Sequence, residues 1–145
     1  MHMTSHGFRT NSKPRVLIAE DLPLIAIDLE QGVADVVDAE IRTVQTLAQL
    51  EDALATGRWD LLIAETHLNG RSTAKAVEAA CAQDIGVIVC TAEAHPGSVF
   101  ASLPILVKPH DWAVLSRLLA QRLTETACAA NDRTAVLQPR RLETL

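Results

Sequence analysis

Four apolar runs in this chain each end in a residue able to do chemistry. Val16-Leu17-Ile18-Ala19 ends in the acid pair Glu20-Asp21, and Leu61-Leu62-Ile63-Ala64 ends in Glu65. Val87-Ile88-Val89-Cys90 ends in Thr91, and Ile105-Leu106-Val107 ends in Lys108-Pro109. The types are carboxylates, a hydroxyl and an ammonium. Carboxylates brought to one place offer the oxygen ligands that suit a hard cation. Without a cation they repel, which raises the pKa of at least one of them. Lys108 is the local counter-charge. His67, two residues beyond Glu65, is a further proton acceptor or ligand beside the same place, although a lone loop histidine is ordinarily just solvated.

For these groups to meet, the four runs must be strands whose carboxyl ends share one edge of a sheet. The spacing supports that. After the first run, Leu22, Ile25, Ala26, Leu29, Val33 and Val36 recur at helical spacing, with Pro23 near the start where proline is tolerated. Glu40 to Val44 alternates weakly and predicts a second strand. Leu47 to Ala55 predicts a short helix stopped by Gly57. The continuous apolar run Leu61 to Ala64 is expected of a central parallel strand covered on both faces. Thr66 to Gly70 reads as a loop with a turn at Asn69-Gly70, and Ser72 or Thr73 can cap a helix running through Cys81. Asp111 can cap a last helix bearing Trp112, Leu115, Leu118, Leu119 and Leu123. Between Ala92 and Leu103 a helix is expected to be short or distorted, because His95-Pro96-Gly97-Ser98 interrupts it. Strand and helix alternate throughout, which predicts an α/β, doubly wound, five-stranded parallel sheet in three α/β/α layers. Such sheets place their sites at the carboxyl ends of the strands.

An acid pair, a central acid, a hydroxyl and a lysine, in this order and each at a strand end, resemble the response-regulator receiver domain (CheY-like, flavodoxin-like) of two-component signalling. The resemblance covers roughly 15–127. It implies a receiver domain over 15–128, a flexible segment at 1–14 and a C-terminal extension at 129–145. In that family the central residue is an aspartate that accepts a phosphoryl group; here Glu65 stands in its place. The family's acid pair and acceptor bind Mg²⁺ together with a backbone carbonyl two residues after the acceptor. Carried over, the ligands are Glu20 or Asp21, Glu65 and the carbonyl of His67. The family switch couples the hydroxyl at Thr91 to an aromatic ring three residues before the lysine, but that position is Ile105 and the chain has no tyrosine.

Glutamate carries its carboxylate about 1.5 Å further out than aspartate, and an error of about 1 Å can cost in-line transfer about a hundredfold. With the aromatic partner also missing, the expected function is a single-domain regulator acting by protein–protein contact without phosphorylation. Two states of Glu65 fit that expectation. It imitates a phosphorylated aspartate by holding Lys108, or it is a degenerate residue in a retained scaffold. Ile25-Ala26-Ile27-Asp28-Leu29-Glu30 also resembles single-domain receivers that lack an output domain. The alternative is a phosphorelay receiver that still takes a phosphoryl group from a histidine kinase. A phosphatase of the haloacid-dehalogenase type needs an aspartate at the first strand end and another acid two residues on, which Glu20-Asp21-Leu22-Pro23 does not supply.

Composition narrows the partners. At 145 residues the chain is one domain on size, and 48% hydrophobic residues allow a full core. A net charge of −5 argues against binding along a phosphate backbone. No apolar run is long enough to span a bilayer, and 1–14 is too polar for a signal peptide. Three cysteines without metal-ligand spacing predict a reducing, cytoplasmic setting. The expected partners are a sensor histidine kinase or a downstream signalling protein. A homodimer is expected through the tail, where Thr134 to Leu137, Leu142 and Leu145 form an apolar face.

Overall fold

The structure, a computed structural model, describes residues 13–93, 96–108 and 111–131. Five parallel strands form its centre in the order β2-β1-β3-β6-β7. They are β1 (Arg15–Ala19), β2 (Glu40–Val44), β3 (Leu61–Glu65), β6 (Gly86–Thr91) and β7 (Ile105–Val107). The order reverses at β1 and β3, which is the doubly wound arrangement predicted from the alternation of elements.

The apolar strands are two-faced. Leu17, Ala19, Leu62, Ala64, Val87 and Val89 face one core with α2 (Leu47–Thr56) and α3 (Ala74–Ala82). Val16, Ile18, Leu61, Ile63, Ile88, Cys90 and Leu106 face the other, with α1 (Pro23–Val36) and α4 (Trp112–Asn131). Successive strand residues point to opposite faces, so an unbroken apolar run is what a sheet covered on both sides requires.

Local signals set the helix ends. Pro23 opens α1 at a position that needs no N–H donor. Thr46 and Gln49 form a reciprocal capping box on α2. Asp111 caps α4, its Oδ1 accepting from Ala113 N–H at 3.0 Å. Between β6 and β7, among the described residues, the one helical element is a single 3-10 turn, Ser98–Phe100, and it lowers Phe100 into the core. That short element is what the proline and glycine at 96–97 predict. The expectations placed on 1–12, His95, Pro109 and 132–145, including the tail-mediated dimer, lie outside the described residues. Among the described residues no helix is long and apolar enough to cross a membrane.

The loop expected at 66–70 is more ordered than its sequence suggests. Residues 67–72 form a two-stranded hairpin, β4 (His67–Leu68) and β5 (Arg71–Ser72), in which His67 lies opposite Ser72. Its turn residues Asn69 and Gly70 have φ of 52° and 81°. An Asn-Gly pair with both φ positive is the tight hairpin turn whose twist suits antiparallel strands.

Candidate functional site

Glu20 directly follows β1. Its N–H donates to Val44 O at 3.0 Å, so it continues the β1–β2 pairing and keeps strand alternation. Its side chain turns inward and is 0% exposed. Asp21 turns the other way and accepts from Asn69 N–H at 2.8 Å, tying the β1 end to the hairpin. Of the acid pair, then, Glu20 enters the pocket and Asp21 anchors its rim.

Glu65 ends β3 and Lys108 follows β7, its N–H donating to Thr91 O at 2.8 Å. Strand β6 lies between β3 and β7, which sets their axes about 10 Å apart. Two long side chains close that gap. Lys108 Nζ donates to Glu65 Oε1 at 2.5 Å and to Glu20 Oε1 at 2.8 Å. The side chains of Lys108 and Glu65 are 16% and 13% exposed, so this is a nearly buried triad.

The remaining carboxylate oxygens are also engaged. Glu20 Oε2 accepts from Leu22 N–H at 3.1 Å. Glu65 Oε2 accepts from Thr66 N–H at 2.9 Å and from the Thr66 hydroxyl at 3.1 Å. Thr66 Oγ1 also lies 3.1 Å from His67 Nδ1. A carboxylate only accepts, so the Thr66 proton goes to Glu65 and the shared geometry assigns the imidazole proton to Nδ1. The backbone under Glu65 is pinned by Thr73, whose buried hydroxyl bonds Glu65 O at 2.7 Å and Thr66 O at 3.0 Å. Thr73 occupies the cap position of α3, but its side chain makes no cap bond. Ser72 instead accepts from Ala74 N–H at 3.1 Å.

Burial raises the Glu20 pKa above its ordinary 4.5, against the pull of Lys108 and Leu22 N–H. For Lys108, burial pulls the pKa down, but the bonds from Glu20 and Glu65 outweigh it and hold the ammonium above its ordinary 10.5. The charged lysine is therefore the fixed point of the triad. Repulsion among carboxylates, expected from sequence to perturb one of them, is a minor cause beside burial because Lys108 stands between the two that meet.

Thr91 is buried, and its hydroxyl accepts from Glu93 N–H at 3.1 Å. Among the described residues no hydrogen bond joins it to Glu65. Ile105 packs beside Val89 against the α2–α3 core. His67 is exposed at the hairpin start. Of the expected ligands, Glu20 or Asp21 with Glu65 and the carbonyl of His67, the structure brings the side chains of Glu20 and Glu65 together on Lys108, and among the described residues no group of three or more His, Cys, Asp or Glu side chains gathers as a metal cluster. Each oxygen of Glu20 and Glu65 already accepts a hydrogen bond, and two of the four accept it from the Lys108 ammonium, which supplies the positive charge between them. The residues present do not fit a divalent cation beside Lys108. Thr66 and Thr73 were not singled out from sequence as site residues. The threonine after a strand-end acid was the available signal for Thr66, whereas nothing local marks the long reach of Thr73.

No family model matches the sequence, and no curated protein matches it. Solved structures do match the fold. The receiver domain of a CheY-like response regulator from Methanospirillum hungatei aligns with TM-score 0.72 and 17% identity, over 79% of this chain and 97% of that one. The receiver domain of a putative LuxO repressor from Vibrio parahaemolyticus gives 0.70 and 25%, over 86% and 100%. The response regulator TrrA of Thermotoga maritima, solved with Mg²⁺ and BeF, gives 0.68 and 21%, over 76% and 99%. The chain has the fold of a CheY-like receiver domain.

Proposed function

We propose that this chain is a receiver-fold regulator of two-component signalling that acts by protein–protein contact and does not take up a phosphoryl group. The observation that carries this reading is the state of Glu65. Its carboxylate is held on one side by Lys108 and on the other by Thr66. In-line transfer depends on the placement of the nucleophile oxygen, and both oxygens of Glu65 are held, Oε1 by Lys108 and Oε2 by Thr66. The lysine that would neutralise a transferred phosphoryl group is already spent on two carboxylates. Thr91 is turned to its own loop, and Ile105 offers no ring to follow it. The pocket is thus fixed in one arrangement, and the information it carries is the surface it supports. Leu22, Leu24 and Ile27, 54%, 76% and 50% exposed at the pocket end of α1, give that surface apolar groups for a partner protein.

On this reading the partner is a sensor histidine kinase or a downstream signalling protein, the setting is cytoplasmic, and the chain is no enzyme. A homodimer through 132–145 belongs to the same proposal; light scattering on the full chain and on a version ending at Asn131 tests it, and equal masses would remove the tail from assembly. The second reading, a phosphorelay receiver, is favoured by the retention of Thr91 and Lys108 at their strand ends. Incubation with a small phosphodonor and Mg²⁺, followed by intact mass, decides between them. No phosphoryl adduct is expected. An adduct on the wild type that disappears in Glu65→Gln would overturn the proposal. Glu65→Asp shortens the arm and is the variant in which acceptance would return.

A further inference from the structure

We infer that the ammonium of Lys108 is the resident cation of this pocket and excludes a divalent metal from it. The inference deepens the reading above of the same site, but it stands on the contacts alone. Mg²⁺ asks for near-octahedral oxygen donors at about 2.0–2.1 Å, one or two of them carboxylates, with room for its waters. Here the two carboxylates that meet, Glu20 and Glu65, converge on Lys108 Nζ at 2.8 and 2.5 Å. The far oxygen of each is held by a main-chain N–H, that of Leu22 or Thr66. Those donors cannot swing away, because each belongs to the chain within two residues of its acid. Thr73 fixes the backbone of Glu65 and Thr66 from behind. Asp21, the third acid, has one oxygen on Asn69 N–H and faces the rim. A metal bridging Asp21 and Glu65 would share the Glu65 carboxylate with Lys108 and set a dication beside an ammonium. Glu20, at 0% exposure, would then lose part of the charge that balances it.

The lysine and the extra methylene of Glu65 act together in this. The longer arm carries the carboxylate over the end of β6 to the ammonium, which places the positive charge where a metal would otherwise be needed. What the ammonium supplies that a metal does not is permanence: it is tethered, and no change in metal concentration removes it.

The test is a titration of the intact chain with Mn²⁺, reading free Mn²⁺ by electron paramagnetic resonance. The wild type is expected to leave the free signal unchanged well into the millimolar range, and Lys108→Arg, which keeps the charge, to do the same. Lys108→Met, checked for folding by circular dichroism, is expected to take up Mn²⁺ saturably, and Glu65→Gln in that background to abolish the uptake. Saturable binding to the wild type that Glu65→Gln or Asp21→Asn removes would overturn the inference. So would a folded Lys108→Met that binds nothing, since the ammonium would then not be what excludes the metal. If Lys108→Met does not fold, the wild type and Lys108→Arg decide alone. A phosphoryl adduct would sink the proposed function while leaving this inference standing; Mn²⁺ uptake without an adduct would do the reverse.

Discussion

Glu65 and Lys108 meet at 2.5 Å although strand β6 lies between the strands that carry them. The contact closes a triad with Glu20, which is wholly buried. Removing one partner of such a group leaves the others buried without a counter-charge, which costs about 3–5 kcal/mol, whereas an exposed pair would cost about 1 or less. Lys108→Ala is expected to fall in the larger range by urea denaturation, with Mg²⁺ restoring part of the loss by entering the vacated place. Adding Glu20→Gln to the same variant should recover part of it as well, because the orphaned charge is gone. Denaturation curves for Lys108→Ala that overlay the wild type, with and without Mg²⁺, would show that the triad contributes nothing to folding.

Thr73 tests whether the pocket is set from behind. Its buried hydroxyl bonds the carbonyls of Glu65 and Thr66. Thr73→Val keeps the shape and removes the hydroxyl from both carbonyls, although Thr66 O keeps the Thr73 N–H at 2.9 Å, at a cost of about 1–3 kcal/mol. The loss should be accompanied by shifts of the Glu65 and Thr66 amide resonances, since those residues are held by the bond. A stability loss with those resonances unmoved would reduce Thr73 to an ordinary core residue.

Much of this was legible in the sequence, and for reasons that can be stated residue by residue. Apolar runs at 16–19, 61–64, 87–90 and 105–107 can only be covered on both faces in a parallel sheet, and that forces their terminal residues onto one edge. The meeting of Glu65 with Lys108 follows from that edge and from charge. The division of labour in Glu20-Asp21 was not legible. Which acid turns inward depends on the register in which Glu20 N–H pairs with Val44 O, and a neighbouring strand fixes that register. The Asn69-Gly70 hairpin was legible as a turn; its strands are only two residues each, too short to show alternation. The sequence offers Ser72 or Thr73 as the helix cap, and Ser72 takes the bond from Ala74 N–H. Tertiary bonding to β3 took the Thr73 hydroxyl instead.

Cys90 sits one residue before Thr91, 1% exposed, on the face packed by α1 and α4. Burial pushes its thiol from an ordinary 9.0 up to about 12. The raised folded value has a definite sign. Below pH 9 both folded and unfolded chains keep the proton. As pH rises from there towards 12 the unfolded chain releases it and the folded chain does not, so stability is lost across that window at no more than about 1.4 kcal/mol per pH unit. Urea midpoints should therefore fall more steeply above pH 9 for the wild type than for Cys90→Ala. Equal slopes in the two proteins would mean that the thiol titrates normally in the fold. In a background of Cys81→Ser and Cys128→Ser, a thiol reagent should label Cys90 only at the rate of unfolding.

Gly32 and Trp112 supply the sharpest test of how α1 and α4 pack. A β-carbon built on Gly32 would lie 2.6 Å from Trp112 Cζ3 and 3.1 Å from Leu115 Cδ2. The glycine therefore sits in mid-helix because an indole lies across it, despite a propensity cost of about 1 kcal/mol relative to alanine. Gly32→Ala should gain that propensity and lose the ring's seat. Trp112 is 44% exposed and able to move outward, so the net change in the wild-type background should be small or destabilising. In Trp112→Ala the ring's obstruction is gone and only Leu115 Cδ2 at 3.1 Å has to give slightly, so Gly32→Ala should then stabilise by up to about 1 kcal/mol. The difference between the two backgrounds is the coupling energy of the contact. In Trp59→Phe, where Trp112 is the remaining tryptophan, Gly32→Ala should also shift the emission to longer wavelength as the ring is displaced into water. Gly32→Ala values that agree in both backgrounds, with emission unchanged, would remove Trp112 as the reason for the glycine.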